Sequence, residues 1–349
     1  METTRQSAHP KVRLSVIIPT YRRFAPLLDT VELVLAQQQA EFEILVVDQN
    51  PVWPEDLIDR KKRLATDARV KWLIRDRPGV VAARHDAVEA AVGDIFVFID
   101  DDVKIVDPFL LARHAANYAA FPELDVVVGR EVYQGQAAPP IAPFPPARDD
   151  MTRGKYFAGT PRDQAIRFDR MRSERYEVIA FCTCNSSVKR EAFFRVGGFD
   201  ESFHGSAYGD DYDFAIRLGD AGGHFVYDPQ AWLIHLHAAS GGLRMSEPKN
   251  RVDEVSRIYS SILFLLKNWE RPWRWYLLWR VLRRSAFLKA NLRRPWREPA
   301  VCLGLWKAWR QARVAVRRGA WSRFSTEKSV TIGQRVIAGG SQPFSRPPT

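Results

Sequence analysis

Residues 14–19 read LSVIIP, a short apolar, β-branched run stopped by proline. Such a run predicts a strand buried on both faces, as in a parallel sheet. Residues 24–35 then carry apolar positions at helical spacing, and EILVV at 43–47 predicts a second buried strand ending at Asp48. A helix over 54–64, a strand over 70–74 and an Ala-rich helix over 79–92 follow. IFVFI at 95–99 predicts another buried strand, which runs into Asp100-Asp101-Asp102. A helix over 108–120 and a strand over 125–128 complete this half. Strands alternating with helices predict a doubly wound α/β sheet, whose ligands bind beyond the carboxyl ends of the strands. Asp48 and Asp100–Asp102 stand at such ends.

The pattern breaks at 134–146, QGQAAPPIAPFPP, which predicts a surface loop. Residues 148–176 are highly charged without a period and read as a flap. Order resumes at 178–188, with a short helix over 190–196, a helix over 210–221 and a strand over 224–227 near His235 and His237. Beyond the body, Val255, Ile258, Tyr259, Ile262, Leu263 and Leu266 repeat with helical spacing. Trp275, Leu278, Trp279, Leu282 and Ala286 do so again. A third helix carries Cys302, Leu305, Trp306, Trp309, Ala312 and Val316 on one side, with Lys307, Arg310 and Arg317 toward the other.

Composition divides the chain the same way. The 349 residues hold 52 Lys+Arg and 41 Asp+Glu, a net charge of +11. Residues 271–323 alone hold fifteen Lys/Arg against Glu298, which leaves the rest slightly acidic at −3. Eight of the 11 Trp lie between Trp269 and Trp321. The basic, Trp-rich segment has two readings of equal standing: packing on the body with a solvated basic face, or attachment to an anionic membrane surface, where Trp and Lys/Arg are both favoured. Nucleic acid is the disfavoured partner, because the body concentrates acids rather than bases and carries no nucleic-acid motif. No apolar run reaches the ~18 residues of a spanning helix. The first residues lack the apolar core of a secretory signal. Cys182 and Cys184 read as buried thiols, since three cysteines make no disulfide framework. A cytoplasmic protein is expected, with the inner face of the cytoplasmic membrane as its attachment site.

The acids carry the candidate chemistry. Three adjacent aspartates at a strand end repel one another unless a cation joins them, and hard oxygen donors suit Mg²⁺ or Mn²⁺ held with substrate phosphates. Capping does not need them, because Asp107-Pro108 already precedes the next helix. Gly209-Asp210-Asp211-Tyr212-Asp213 heads another helix; the dipole explains any one acid, but three exceed that need. One of them is a candidate general base for an acceptor hydroxyl. His235-Leu236-His237, on a strand, would aim both rings at one face, for a metal, for a phosphate or for a structural contact.

Taken in order, Val16-Ile17-Ile18-Pro19-Thr20-Tyr21, Val46-Val47-Asp48, Arg77-Pro78-Gly79-Val80-Val81-Ala82-Ala83-Arg84, Phe98-Ile99-Asp100-Asp101-Asp102, Gly197-Gly198-Phe199-Asp200-Glu201, Gly209-Asp210-Asp211 and the histidines strongly resemble the family-2 glycosyltransferases over residues 12–243. The resemblance implies a GT-A fold, a Rossmann-like doubly wound mixed sheet, here with a helical C-terminal extension. The implied organisation is a catalytic domain over 1–245, the basic extension over 246–322 and a disordered tail over 323–349. It implies inverting, metal-dependent transfer of a sugar, of hexosyltransferase type, from a nucleotide-sugar donor to a saccharide or lipid-linked saccharide acceptor. Bacterial cell-surface or exopolysaccharide assembly is the implied setting.

Residue by residue, Pro19, Thr20, Tyr21 and Asp48 match the nucleoside-holding positions, and Arg84 a basic residue near the nucleotide phosphates. Asp100 matches a carboxylate near the ribose, with Asp101 beside it on the donor side. Asp102 matches the ligand of a Mg²⁺ or Mn²⁺ ion, with His235 or His237 alongside. Asn185 matches the lining of the sugar pocket. Asp211 matches the catalytic base and Asp210 its acidic neighbour. A sugar-nucleotide pyrophosphorylase would need a Gly-rich loop where Pro19-Thr20-Tyr21-Arg22-Arg23 stands. A processive synthase would need membrane spans and a Gln-x-x-Arg-Trp motif. The remaining alternative is a non-catalytic, nucleic-acid- or membrane-binding protein on the same scaffold.

Overall fold

The computed structural model describes residues 12–141, 165, 168, 170, 172–238, 241–242, 251–268, 298–319 and 322–324. Strands β1 (Arg13–Thr20), β2 (Glu41–Asp48), β3 (Val70–Ile74) and β4 (Ile95–Ile99) lie parallel in the order β3-β2-β1-β4. Beyond β4 the sheet turns mixed. β8 (Asn185–Lys189) pairs antiparallel with β4 and with β6 (Val126–Tyr133), and β9 (Phe225–His235) lies parallel to β6. Short strands β5 (Val103–Lys104) and β7 (Tyr176–Glu177) pair with β9 and complete nine.

Alternate residues of the central strands enter opposite cores, as the two-residue period of a strand requires. Ile17, Phe96 and Phe98 enter one core; Val16, Ile18, Val97 and Ile99 enter the other. Both faces are apolar, which is why these strands read as unbroken hydrophobic runs. The helices are α1 (Phe24–Leu35), α2 (Glu55–Ala65), α3 (Val80–Ala90), α4 (Leu110–Ala120), α5 (Arg190–Arg195), α6 (Asp210–Asp220), α7 (Arg251–Asn268) and α8 (Glu298–Arg318). Side chains of α1 and α4 fill the second core; those of α3, α5, α6 and α7 fill the first.

Three differences from the sequence pattern have physical reasons. β9 runs to His235 rather than stopping at Tyr227, because its register shifts beside Gly129/Arg130 and the bulge absorbs Pro229. The helix expected from 108 begins at Leu110, with Asp107 accepting from the Phe109 N–H at 2.9 Å. Within 178–188 only Asn185 onward is strand. Most of the expected flap, the second Trp-rich helix over 275–286 and most of the tail lie outside the described residues.

The C-terminal helices share the body's core. Ile262 and Leu263 of α7 are fully buried in the first cluster, and Lys267 pairs with Asp200 at 2.6 Å and Asp213 at 2.7 Å. On α8, Ala308 and Ala312 are buried while Trp309 and Val316 pack beside them. Trp306, expected on that inner side, is instead 51% exposed. Arg323 and Phe324, expected in the tail, dock on the body. Arg323 bridges Glu201 at 2.9 Å and Asp86 at 2.7 Å, and the Phe324 ring lies 4.8 Å from that of His85.

Candidate active site

The carboxyl ends of β1 and β4 bring Thr20 and Asp100–Asp102 together, and the end of β9 adds His235. Asp101 and Asp102 are buried, and a residue missed in the sequence neutralises them. The Arg23 guanidinium, at the mouth of α1, lies 2.8 Å from Asp101 and 2.7 Å from Asp102. The Thr20 hydroxyl donates to Asp101 at 2.7 Å. Burial still carries the Asp101 carboxyl up to about 6, against the opposing charge of Arg23. Gly241 and Gly242, both in the left-handed region, close over this arginine: a Cβ on Gly242 would meet its guanidinium carbon at 2.8 Å.

Asp102 is the acid matched to a metal. Its Oδ2 accepts from the Ala238 N–H at 2.8 Å, and its Oδ1 lies 3.3 Å from His235 Nε2 as well as against Arg23. Asp100 is the half-open member, with Oδ2 3.7 Å from His235 Nε2. His235 Nδ1 meets Glu131 Oε1 at 2.5 Å, and Glu131 pairs in turn with Arg170. Burial alone would lower the His235 pKa, but Asp102, Glu131 and Asp100 raise it to about 10. His237 lies outside the strand in a left-handed conformation, yet its ring stacks on that of His235 at 4.0 Å. Two donor groups could hold a cation among the described residues: Asp100, Cys184 and His235, and Glu131, His235 and His237. Each set joins a carboxylate to an imidazole, the donor types that a divalent ion accepts, so these residues fit a metal.

At the head of α6, the left-handed Gly209 turns the chain so that Asp210 and Asp211 diverge. Asp210 is buried against Arg84 at 2.6 Å, and Arg84 also donates to the Thr183 hydroxyl at 2.7 Å. Arg84, matched to a basic residue near the nucleotide phosphates, is buried here and spans α3 and the Asp210 loop. Asp211 is only partly buried and accepts from the Tyr212 N–H at 2.8 Å. Burial raises its carboxyl above the usual range, against the nearby charges of Arg170 and Arg84.

Asn185 and Asp48 are likewise engaged within the body. Asn185, matched to the lining of the sugar pocket, is fully buried. Its amide donates to the carbonyls of Arg130 and Ala231 at 3.0 and 2.9 Å, and its oxygen meets His114 Nε2 at 3.1 Å. It pins the bulge between β6 and β9. Asp48 is fully buried in a cage. Trp53 and Lys61 donate to Oδ2 at 2.7 Å, Trp72 at 3.0 Å, and the Asn50 backbone and amide donate to Oδ1. A base can reach this carboxylate only by displacing one of those donors. Pro19 and Tyr21 remain half-buried at the end of β1.

Residues 15–197 match the model of "Glycosyl transferase family 2". The chain is 28% identical over 268 residues to a validoxylamine A glucosyltransferase of Streptomyces hygroscopicus subsp. jinggangensis, covering 72% of this chain and 62% of that one. It is 32% identical over 146 residues to an N-acetylglucosaminyl-diphospho-decaprenol L-rhamnosyltransferase of Mycobacterium tuberculosis, covering 40% and 45%. The chain thus spans less than two thirds of the length of these relatives. A solved structure of GalNAc-T7 with UDP, GalNAc and Mn²⁺ shares the fold, with a TM-score of 0.55 at 14% identity over 89% of this chain and 58% of that one. The mixed sheet, the acids at its carboxyl ends and the family match over more than half the residues agree: the chain belongs to glycosyl transferase family 2.

Proposed function

We propose that the chain is an inverting glycosyltransferase that moves a sugar from a nucleotide-sugar to an acceptor hydroxyl, with Asp211 as general base. One observation carries the reading. Ion pairs run from Arg170 through Glu131 to His235, and from there to Asp102, Arg23 and Asp101, and the charge of Arg170 also acts on the Asp211 carboxyl. Donor-binding acids and candidate base therefore belong to one site.

Asp100 and His235, with Asp102 behind them, would hold a divalent cation, which when bound offsets negative charge on a diphosphate leaving group. The rest is the work of the chain's own residues. Asp211 takes the proton of the acceptor hydroxyl as that oxygen attacks the anomeric carbon. A carboxyl raised by burial is a stronger base once ionised, which suits this step. Asp210, held by Arg84, fixes the loop so that its neighbour faces the cleft. Direct displacement inverts configuration and needs no carboxylate nucleophile on the opposite face.

The acceptor side of the proposal is a lipid-linked saccharide, approached from an anionic membrane surface. The relative from M. tuberculosis is named for a decaprenol-linked diphospho-sugar. On α8, Leu303, Trp306 and Val314 are 51%, 51% and 43% exposed among Lys307, Arg310, Arg317 and Arg318. A groove of about 690 Å³ runs between this face, Tyr259 and the Ser202–His204 loop, which leads to Gly209. No helix among the described residues is long and apolar enough to cross a membrane.

A thermal-shift panel of UDP-, dTDP- and GDP-sugars, each with Mg²⁺ or Mn²⁺, tests the donor reading. At least one should raise the melting temperature, because ligand at 100 times its Kd contributes about 2.7 kcal/mol. A panel in which none does, with Co²⁺ included beside Mg²⁺ and Mn²⁺, refutes it. Flotation with phosphatidylglycerol vesicles at low salt tests the acceptor side; absence of binding refutes it.

A further inference from the structure

Nothing in the proposed transfer calls for a thiol, yet Cys184 stands beside the acids. It is a buried free cysteine on the approach to β8. Its sulfur lies within 4.8 Å of ligand atoms of Asp100 and His235. Cys182, two residues earlier, turns instead toward Glu131, with its Sγ 3.7 Å from Oε2. We propose that Cys184 is a metal ligand, so that Asp100, Cys184 and His235 form a mixed oxygen, sulfur and nitrogen site selective for thiophilic ions of the Zn²⁺ and Co²⁺ type. The proposal rests on the reading that this pocket takes a divalent cation, and it specifies which.

Three features of the geometry support it. A tetrahedral ion with bonds of about 2.0–2.3 Å needs donor atoms about 3.4–3.6 Å apart. The Asp100 and His235 pair already stands at 3.7 Å. Asp100 is the half-exposed member, so its side chain can close the remaining distance to Sγ. Next, His235 is oriented from behind. Its Nδ1 is taken by Glu131 at 2.5 Å, which turns Nε2 toward Asp100 and Asp102. A carboxylate bonded to the far nitrogen of an imidazole is the usual support of a ligating histidine. Finally, the alternative group of Glu131, His235 and His237 would have to give up that hydrogen bond and separate two rings stacked at 4.0 Å.

Soft sulfur and borderline nitrogen rank Zn²⁺ and Co²⁺ above Mn²⁺ and Mg²⁺. Coordination replaces the S–H bond by a sulfur–metal bond and releases one proton to solvent. The oxidation state of the sulfur does not change. A fourth position is left for Asp102, water or a phosphate oxygen.

Cobalt titration of the full chain, followed by absorption, tests this. A double variant, Cys182→Ala with Cys302→Ala, leaves Cys184 as the sole thiol. It should show a thiolate-to-cobalt charge-transfer band in the near ultraviolet as Co²⁺ is added. Cys184→Ser should lose that band and bind Co²⁺ at least about tenfold more weakly. Glu131→Gln should keep the band and weaken binding by about 10–100-fold. Cobalt binding by the double variant without the band overturns the Cys184 assignment and leaves a cation on Asp100 and His235. No cobalt binding at all overturns both the assignment and the cation reading. The double variant decides the matter even if Cys184→Ser fails to fold.

Discussion

Removing Arg23 tests the idea that one guanidinium keeps the acid cluster folded. Its NH1 stands 2.8 Å from Asp101 and 2.7 Å from Asp102, and both carboxylates are at most 4% exposed. Arg23→Met keeps the length of the side chain and deletes its charge. Taking one partner from a buried ion pair costs about 3–5 kcal/mol, because the other charge stays desolvated. Here two carboxylates lose the same partner, so the upper end is expected near neutral pH. At 4–5 kcal/mol that is a fall of about one thousand- to four thousandfold in the folding constant. The sign with pH follows from protonation. Asp101 has its folded pKa raised to about 6, above the ordinary value of 3.8, so the folded state holds its proton more tightly than the unfolded chain. Stability from that group is fully present below about 4 and is lost as pH rises toward 6. Without Arg23 the loss extends to higher pH. Urea unfolding of both proteins at pH 5 and 7.5, followed by tryptophan fluorescence, should show a deficit of about 4–5 kcal/mol at pH 7.5 that shrinks toward pH 5. A deficit below about 1 kcal/mol, within the range of exposed pairs, refutes the reasoning, as does one that is independent of pH.

Three further outcomes are expected. Asp211→Asn should lower kcat by about 10²–10⁴-fold while calorimetry shows donor affinity unchanged, and the wild-type rate should rise with pH with an apparent pKa above the ordinary Asp value of about 3.9. Asn185→Leu should cost about 2–5 kcal/mol by orphaning the Arg130 and Ala231 carbonyls, with donor affinity intact in the folded fraction; lost affinity there would assign Asn185 to the sugar pocket. Lys61→Met should cost about 1–3 kcal/mol at pH 7. Burial would raise the Asp48 carboxyl, but hydrogen bonds from Lys61, Trp72 and Asn50 hold it below the ordinary range. Its contribution is therefore present above about pH 4 and lost in acid, so wild type and variant should converge there; parallel pH curves would count against the cage.

The sheet was legible because its central strands are apolar on both faces, and their apolar runs stop at the acids that matter. β9 was half hidden. Asp228-Pro229-Gln230 looks like a strand end, and only Asn185, 46 residues before Ala231 in sequence, reveals the bulge that lets the strand continue. At the site the acids could be read from the chain, but their partners could not. Arg23 is 78 residues from Asp101, Glu131 is 104 from His235, and Arg84 is 126 from Asp210. A lone Arg or Glu carries no local mark of such pairing. Hence Asp102 read as a metal ligand and Arg84 as a phosphate contact, with nothing in the chain to mark that each also pairs within the protein. Trp306 misled for a related reason: the Ala308 and Ala312 edge of α8 is the one that fits closely, and small residues barely register in an apolar stripe.

The docking of Arg323 and Phe324 bears on the order in which the site matures. A ribosome delivers β1 to β9, with every acid of the cluster, almost 90 residues before Arg323. Until then Glu201 lacks one of its cationic partners, and the His85, Phe193 and Phe194 rings lack the Phe324 side chain that lies against them. The contact from Arg323 to Asp86 closes a span of 237 residues, among the slowest kinds of pairing to form. The Glu201 turn and the aromatic cluster around His85 are therefore completed last, after α7 and α8 with its basic face.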